Sequence, residues 1–419
     1  MVMRSNVVWD FDVYCFDAFK DGYSFDMRKT VPSDLVSWVM IYENIFLLFP
    51  SVQVGVEDLG AVVFDKLKNN QLFISFRKDG RLCKWWDFVC VSQSGYREED
   101  WRRVASGVRR VNGVDVVAMW LSQYRNRSFG LRSASDVMEE VVDEVVEEYR
   151  KLGLNFDYVK DVEVSNDVGR YLQVNCSSTK FLYFLRSVAR GKGRDDSYLC
   201  WFERRVNDIN HHKELVFRVK RVSSLKRQKY KLVFEYKVDP KDVDSALEKG
   251  GVLDGVVPVL SFYIDAKNFG VFVNKKSFEL VKFNLNKLCM SKERVNICDD
   301  EERDVIASFF RNVWKREYVV RGEMSDVFDE FGRFISSVVR AGLKKRVWVL
   351  CFGTEKLNLG DKVRMILPSG YGTELVEALT KDWIVSNIVH ILSVPDYVWL
   401  MKVGLIGIDY NEGRGRRGL

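Results

Sequence analysis

The stretch NNQLFISFRKDGRLCKWWDFVCV, residues 69–91, sets two runs of branched and aromatic residues on either side of a Lys-Asp-Gly turn. Asp and Gly tolerate the positive φ that a tight hairpin requires, so the chain must reverse here between two paired strands. Two further stretches repeat the theme. Residues 180–206 read as two strands around a polar loop, and residues 214–238 as two strands around a basic turn. Strand patterns that cluster around turns, instead of alternating with helices, exclude a doubly wound parallel sheet and predict antiparallel pairing.

Helical periodicity is clearest in SASDVMEEVVDEVVEEYRKLG, residues 133–153. Val137, Met138, Val141, Val142, Val145, Val146 and Tyr149 share one face, acids come early, Arg150 and Lys151 come late, Ser135 can cap the start and Gly153 can close the end. An apolar helix is expected over 34–49, another from Asp239-Pro240 to the glycines near 250, and others over 277–289, 300–319, 325–342 and from about 373, with strands at 346–352 and 361–367. The fold class expected is therefore α+β, with mainly antiparallel sheets in the N-terminal and central regions and a helix-rich C-terminal region. The expected division is an α+β domain at 1–132, a connecting helix at 133–153, an antiparallel β-rich domain at 154–276 and a helix-rich α/β region at 277–419.

Composition narrows the function classes. Apolar residues are 47% and charged residues 30% of the 419, with only 6 prolines, which excludes a disordered chain. The dense charge and sparse glutamine resemble a thermophile's composition. Eight cysteines include no CxxC pair, and three histidines leave little from which to complete a zinc site. The most apolar helical stretch, residues 34–50, is broken by Glu43 and Asn44 and ends at Pro50, short of the roughly 20 residues of a membrane span. With no signal-peptide pattern, the expected location is the cytoplasm, without a membrane partner.

Residues 247–273, LEKGGVLDGVVPVLSFYIDAKNFGVFV, place Asp254 before an apolar strand and Asp265 and Lys267 after it. This trio resembles the PD-(D/E)xK nuclease motif, which implies Asp254 and Asp265 as ligands of Mg²⁺ or Mn²⁺ and Lys267 as the group facing the scissile phosphate. An extended run would hold the carboxylates roughly 35 Å apart, so the reading needs a bend at Pro258. LEKGGVLDG also resembles the helix ends of LAGLIDADG homing endonucleases. The alternative is structural, with Asp254-Gly255 a helix stop and Asp265 and Lys267 the polar side of a hairpin strand. Asp10 and Asp12 share a strand face, as paired acids do in archaeal-type primases. His390 and Cys351 form a conceivable base and nucleophile, although no sequence feature brings them together.

Basic stretches point to nucleic acid. Residues 213–231 carry eight lysines and arginines against Glu214, and residues 101–132 seven arginines against Asp115, within a net charge of +6. Arg218, Lys220, Arg221, Lys226, Arg227 and Lys229 on a basic hairpin would track phosphates, and Trp85 and Trp86 beside Arg77 and Lys78 would stack on bases. The expected function is a nucleic-acid-binding or processing protein of a mobile element or defence system, with DNA or RNA as partner and possible divalent-metal nuclease activity. The alternative is a non-enzymatic structural or assembly protein whose charges serve its own fold.

Overall fold

The computed structural model describes residues 9–16, 29–30, 36–45, 47–57, 71–94, 108–122, 124–151, 156–165, 170–177, 182, 185, 198–207, 209–236, 241, 252, 255–264, 277–284, 289–296, 346–367, 379–393 and 398–407. In chain order the first half holds β1 (Trp9–Phe16), β2 (Lys29–Thr30), β3 (Val36–Asn44), β4 (Ser51–Glu57), β5 (Gln71–Lys78), β6 (Arg81–Ser94), β7 (Val108–Asp115), α1 (Val116–Leu121), β8 (Tyr124–Arg132), α2 (Ala134–Arg150), β9 (Asp157–Val162) and β10 (Arg170–Ser177). Then come β11 (Tyr198–Val206), β12 (Lys213–Arg221), α3 (Val222–Arg227), β13 (Leu232–Tyr236), β14 (Val256–Ile264), β15 (Ser277–Asn284), β16 (Cys289–Asn296), β17 (Arg346–Phe352), β18 (Lys362–Ile366), β19 (Asp382–Ser393) and β20 (Val398–Gly407).

Strands dominate. Thirteen of them form one sheet in the order β18-β13-β14-β17-β20-β19-β3-β4-β7-β6-β5-β1-β2, and an additional β18–β19 pairing closes its first six strands into a barrel. Pairing within the barrel is antiparallel except at β13, which runs parallel to both β14 and β18. Alternate residues fill its interior, among them Leu232, Phe234, Val257, Val259, Val349, Val363, Met365, Val403 and Leu405, all buried in one cluster. Beyond β19 the sheet continues through β3 and curls back, so that Phe76 of β5 lies edge-on to Trp399 of β20 at 5.1 Å.

These pairings correct the expected α+β class with a helix-rich C-terminal region. Residues 277–284 and 289–296 are paired strands where a helix over 277–289 was expected, and β17, β18, β19 and β20 are barrel staves. The expected helices at 300–319 and 325–342 lie outside the described residues, as does most of the one expected between 239 and 251. Residues 36–44 are also a strand. Val39, Ile41 and Glu43 point inward, but the outward Trp38, Met40 and Tyr42 are also large and largely apolar, which masked the period of two in the sequence. The basic stretch 213–231 does not form a hairpin with the strand after it. β12 pairs with β11 and β9, whereas β13 belongs to the barrel, and α3 separates them.

Other expectations match. The β5–β6 hairpin turns at Asp79 and Gly80, with φ of 50° and 77°, and the strands near 346–352 and 361–367 are present. α2 buries the apolar face read from the sequence. Its cap is Ser133, whose Oγ accepts from the Asp136 N–H at 3.2 Å, while Ser135 is buried against Ser165.

Two cores explain the sequence of β5 and β6. Leu72, Ile74, Phe76, Trp86 and Phe88 face the barrel-side core. Phe73 and Trp85 face a second core built with α1, α2, β11 and β12. Successive strand residues point to opposite sides, so a strand covered on both faces reads as an unbroken apolar run.

Candidate functional site

Asp254, Asp265 and Lys267 lie outside the described residues. The strand between them, β14, is described, and Pro258 does not turn the chain back there. Pro258 is buried inside β14, paired with Glu235, and the only irregularity is a bulge between Val259 and Ser261. Nine extended residues span about 30 Å. Among the described residues no group of three or more His, Cys, Asp or Glu side chains is arranged to hold a metal ion.

The residues expected to bind nucleic acid are mostly committed to the fold. Trp85 is 2% exposed and Trp86 0% exposed, so neither offers a face to a base. Their indole N–H groups donate to Arg205 O and to Glu43 Oε1, each at 2.9 Å. Arg218 bonds Glu203 at 2.7 Å and also Asp161. Lys220 bonds Asp161, and the Arg221 Nε donates to Glu163 at 3.0 Å. Acids and bases thus alternate across the sheet β11-β12-β9, and charge that looks unopposed along residues 213–231 is opposed from neighbouring strands. Lys78 meets Glu355 at 3.5 Å, and Arg77 is half-buried. The Lys226 carbonyl accepts from Lys362 Nζ at 3.1 Å. Arg227 and Lys229 are exposed. These contacts turn Trp85, Trp86, Arg218, Lys220 and Arg221 away from the expected DNA or RNA partner, and the paired run through Pro258 gives the expected nuclease trio no reversal to bring its carboxylates together.

The best-organised chemistry is buried and ties the layers together. Arg204 of β11 makes two bonds to Asp115, at 2.8 and 2.9 Å, with both side chains only 1% exposed. Asp115 also accepts from the Val117 N–H at 2.8 Å, capping α1. The Arg204 guanidinium lies 4.6 Å from the Trp85 ring centroid. Beside it the Tyr149 hydroxyl of α2 donates to Asp87 of β6, and burial together with the Asp87 charge pushes the Tyr149 phenol well above its ordinary range. These residues join β6, β7, β11, α1 and α2.

A second buried group sits where the N-terminal strands meet the barrel. His390 Nε2 lies 3.3 Å from Glu43 Oε2, and Lys84 Nζ donates to Asn358 Oδ1 at 3.0 Å and Leu357 O at 3.4 Å. Burial raises the Glu43 carboxyl, but the Lys84 ammonium and the His390 and Trp86 hydrogen bonds outweigh it and bring the pKa to about 2. Burial lowers His390, only partly offset by Glu43. Cys351 stands two strands from His390 in the same row, through Met401. Burial pushes its thiol up to about 12, which removes the nucleophilic thiolate at neutral pH. His211 and His212 lie in the β11–β12 turn, His212 facing Asp157 at 3.5 Å. Sequence reasoning missed Glu43, Lys84, Asp87, Asp115 and Arg204. Glu43, Lys84, Asp87 and Asp115 are each a charge set inside an apolar run, and that isolation was the available signal; Arg204, between Glu203 and Arg205, carried none.

No protein-family model matches the chain, and a search of curated protein sequences finds no match. Solved structures that align with the chain include a tail protein from Neisseria meningitidis, at 9% identity and a TM-score of 0.48 over 96% of each chain. A 43 kDa tail protein of prophage MuSo2 from Shewanella oneidensis aligns at 9% identity and a TM-score of 0.47, over 94% of this chain and 97% of that one. An E. coli type VI secretion component, described as structurally similar to the T4 bacteriophage tail proteins gp27 and gp5, aligns at 10% identity and a TM-score of 0.42, over 92% and 76%.

Proposed function

We propose that the chain is a non-enzymatic structural subunit of a larger protein assembly. The observation that supports this reading is the outer wall of the long sheet. Side chains that alternate with the buried ones form rows across β14, β17, β20, β19, β3, β4 and β7. One row runs from Tyr263 through Trp348 and Gly404 to Asn387, and another from Leu400 through Ile391 and Met40 to Gln53. Tyr263 is 45% exposed, and Trp348, Leu400, Ile391 and Met40 are partly exposed. Lys402 Nζ lies 4.9 Å from the centroids of both Tyr263 and Trp348. Gly404 leaves room for the Trp348 ring, which a Cβ there would approach to 3.1 Å. An aromatic-bearing outer wall suits contact with another protein, because partly exposed apolar side chains in adjacent rows release water on association. Tail and secretion assemblies of the kind represented by the aligned structures are the first place to seek that partner.

Cross-linking mass spectrometry on the tagged chain captured from its source cells tests the proposal. Expected are protein–protein cross-links from Lys402, lost in the Leu400→Glu variant, which places a charge on the wall without touching either core. Recovery of bound nucleic acid, with no protein cross-link at Lys402, would overturn it.

A further inference from the structure

We propose that His390, Glu43 and Lys84 form an acid-sensitive latch that holds the N-terminal strands β3 and β6 against barrel strand β19 and loosens as pH falls. Glu43 and His390 come from positions far apart in the chain and meet in a largely apolar core, where the Lys84 ammonium, bonded to Asn358 and Leu357, acts on both through its charge. His390 is fully buried, ringed by Trp86 at 5.0 Å, Trp399 at 5.8 Å and Phe76 at 6.3 Å. Glu43 is ionised, so the Nε2 facing it carries the hydrogen, and Nδ1 has no hydrogen-bond partner among the described residues. A second proton would go to Nδ1, where it meets aromatic rings instead of an acceptor.

The charged or titratable groups facing His390 from its packed elements are Glu43 on β3 and Lys84 on β6. Phe76 of β5 and Trp399 and Met401 of β20 carry none. One strand farther along the same row, the buried Cys351 thiol is neutral. Glu43 favours the imidazolium; burial and Lys84 oppose it and prevail.

The direction of the pH effect follows from linkage. The unfolded or opened chain binds a proton at His390 near pH 6.5, whereas the closed form binds it only at lower pH. The latch is therefore fully closed above about pH 6.5 and loses stability as pH falls below it. Glu43 adds a separate loss between its ordinary value of 4.5 and about 2.

The test is a histidine NMR titration of the full chain combined with hydrogen exchange. Three histidines make assignment direct, since His211 and His212 are exposed. Expected is an imidazole at His390 that stays neutral below the pH at which a free histidine takes its proton. Exchange in residues 36–44 and 84–90, corrected for its intrinsic pH dependence, should rise on the order of tenfold for each pKa unit of lowering as pH drops from about 7.5 to about 5. His390→Gln, which keeps an N–H for Glu43 and cannot take a proton, should lose that pH dependence. Protonation of His390 at the ordinary histidine value would overturn the latch, as would an unchanged acid response in His390→Gln. The wild-type titration decides the matter even if the variant fails to fold.

Discussion

Replacing Arg204 with methionine should destabilise the protein by about 3–5 kcal/mol, because it strands the Asp115 carboxylate in a site from which water is excluded. Asp115 would keep its bond to the Val117 N–H but lose both guanidinium bonds. Urea unfolding followed by far-UV circular dichroism reads the loss. The Arg204→Met/Asp115→Asn double variant should recover part of it, since no charge is then left buried. An exposed pair is the control. Lys160 and Asp143, 41% and 39% exposed, should be worth about 0.2–1 kcal/mol. A loss of similar size at both pairs would show that Arg204 does not bridge the layers in solution.

Trp85→Ala and Trp86→Ala should each cost about 3–5 kcal/mol in the same unfolding experiment, although the residues are adjacent. Each change empties a different core and orphans an acceptor, Arg205 O in one case and Glu43 Oε1 in the other. A base-stacking platform behaves oppositely, since truncating an exposed ring costs affinity and leaves stability nearly intact. Stable variants at both positions would return these tryptophans to the surface.

Local patterns were legible where one face was dry and the other wet. The seven apolar positions of α2 repeat at helical spacing and are all buried, and the Asp79-Gly80 turn carries the backbone that its residues favour. Legibility failed where both faces of an element are covered or apolar. β3 hides its alternation behind Trp38, Met40 and Tyr42, and the contiguous apolar runs of β19 and β20 do not declare their period. Pairing was also invisible along the chain. The acids that neutralise Arg218 and Lys220 are Glu203 on β11, Asp161 on β9 and Glu163 just past its end, so a stretch with one acid of its own gained three from its neighbours in space. Barrel closure rests on β18 meeting β19, a contact that no local pattern encodes.

Lysine acetylation footprinting of the full chain, with and without oligonucleotides, tests most directly whether the basic residues fasten the fold. Lys84, 2% exposed, and Lys220, whose side chain is 17% exposed, should resist acetylation, while the exposed Lys229 reacts, and single-stranded or double-stranded DNA or RNA should leave that pattern unchanged at physiological salt. Uniform reactivity of the lysines across residues 213–231, together with their protection by an oligonucleotide, would contradict the account.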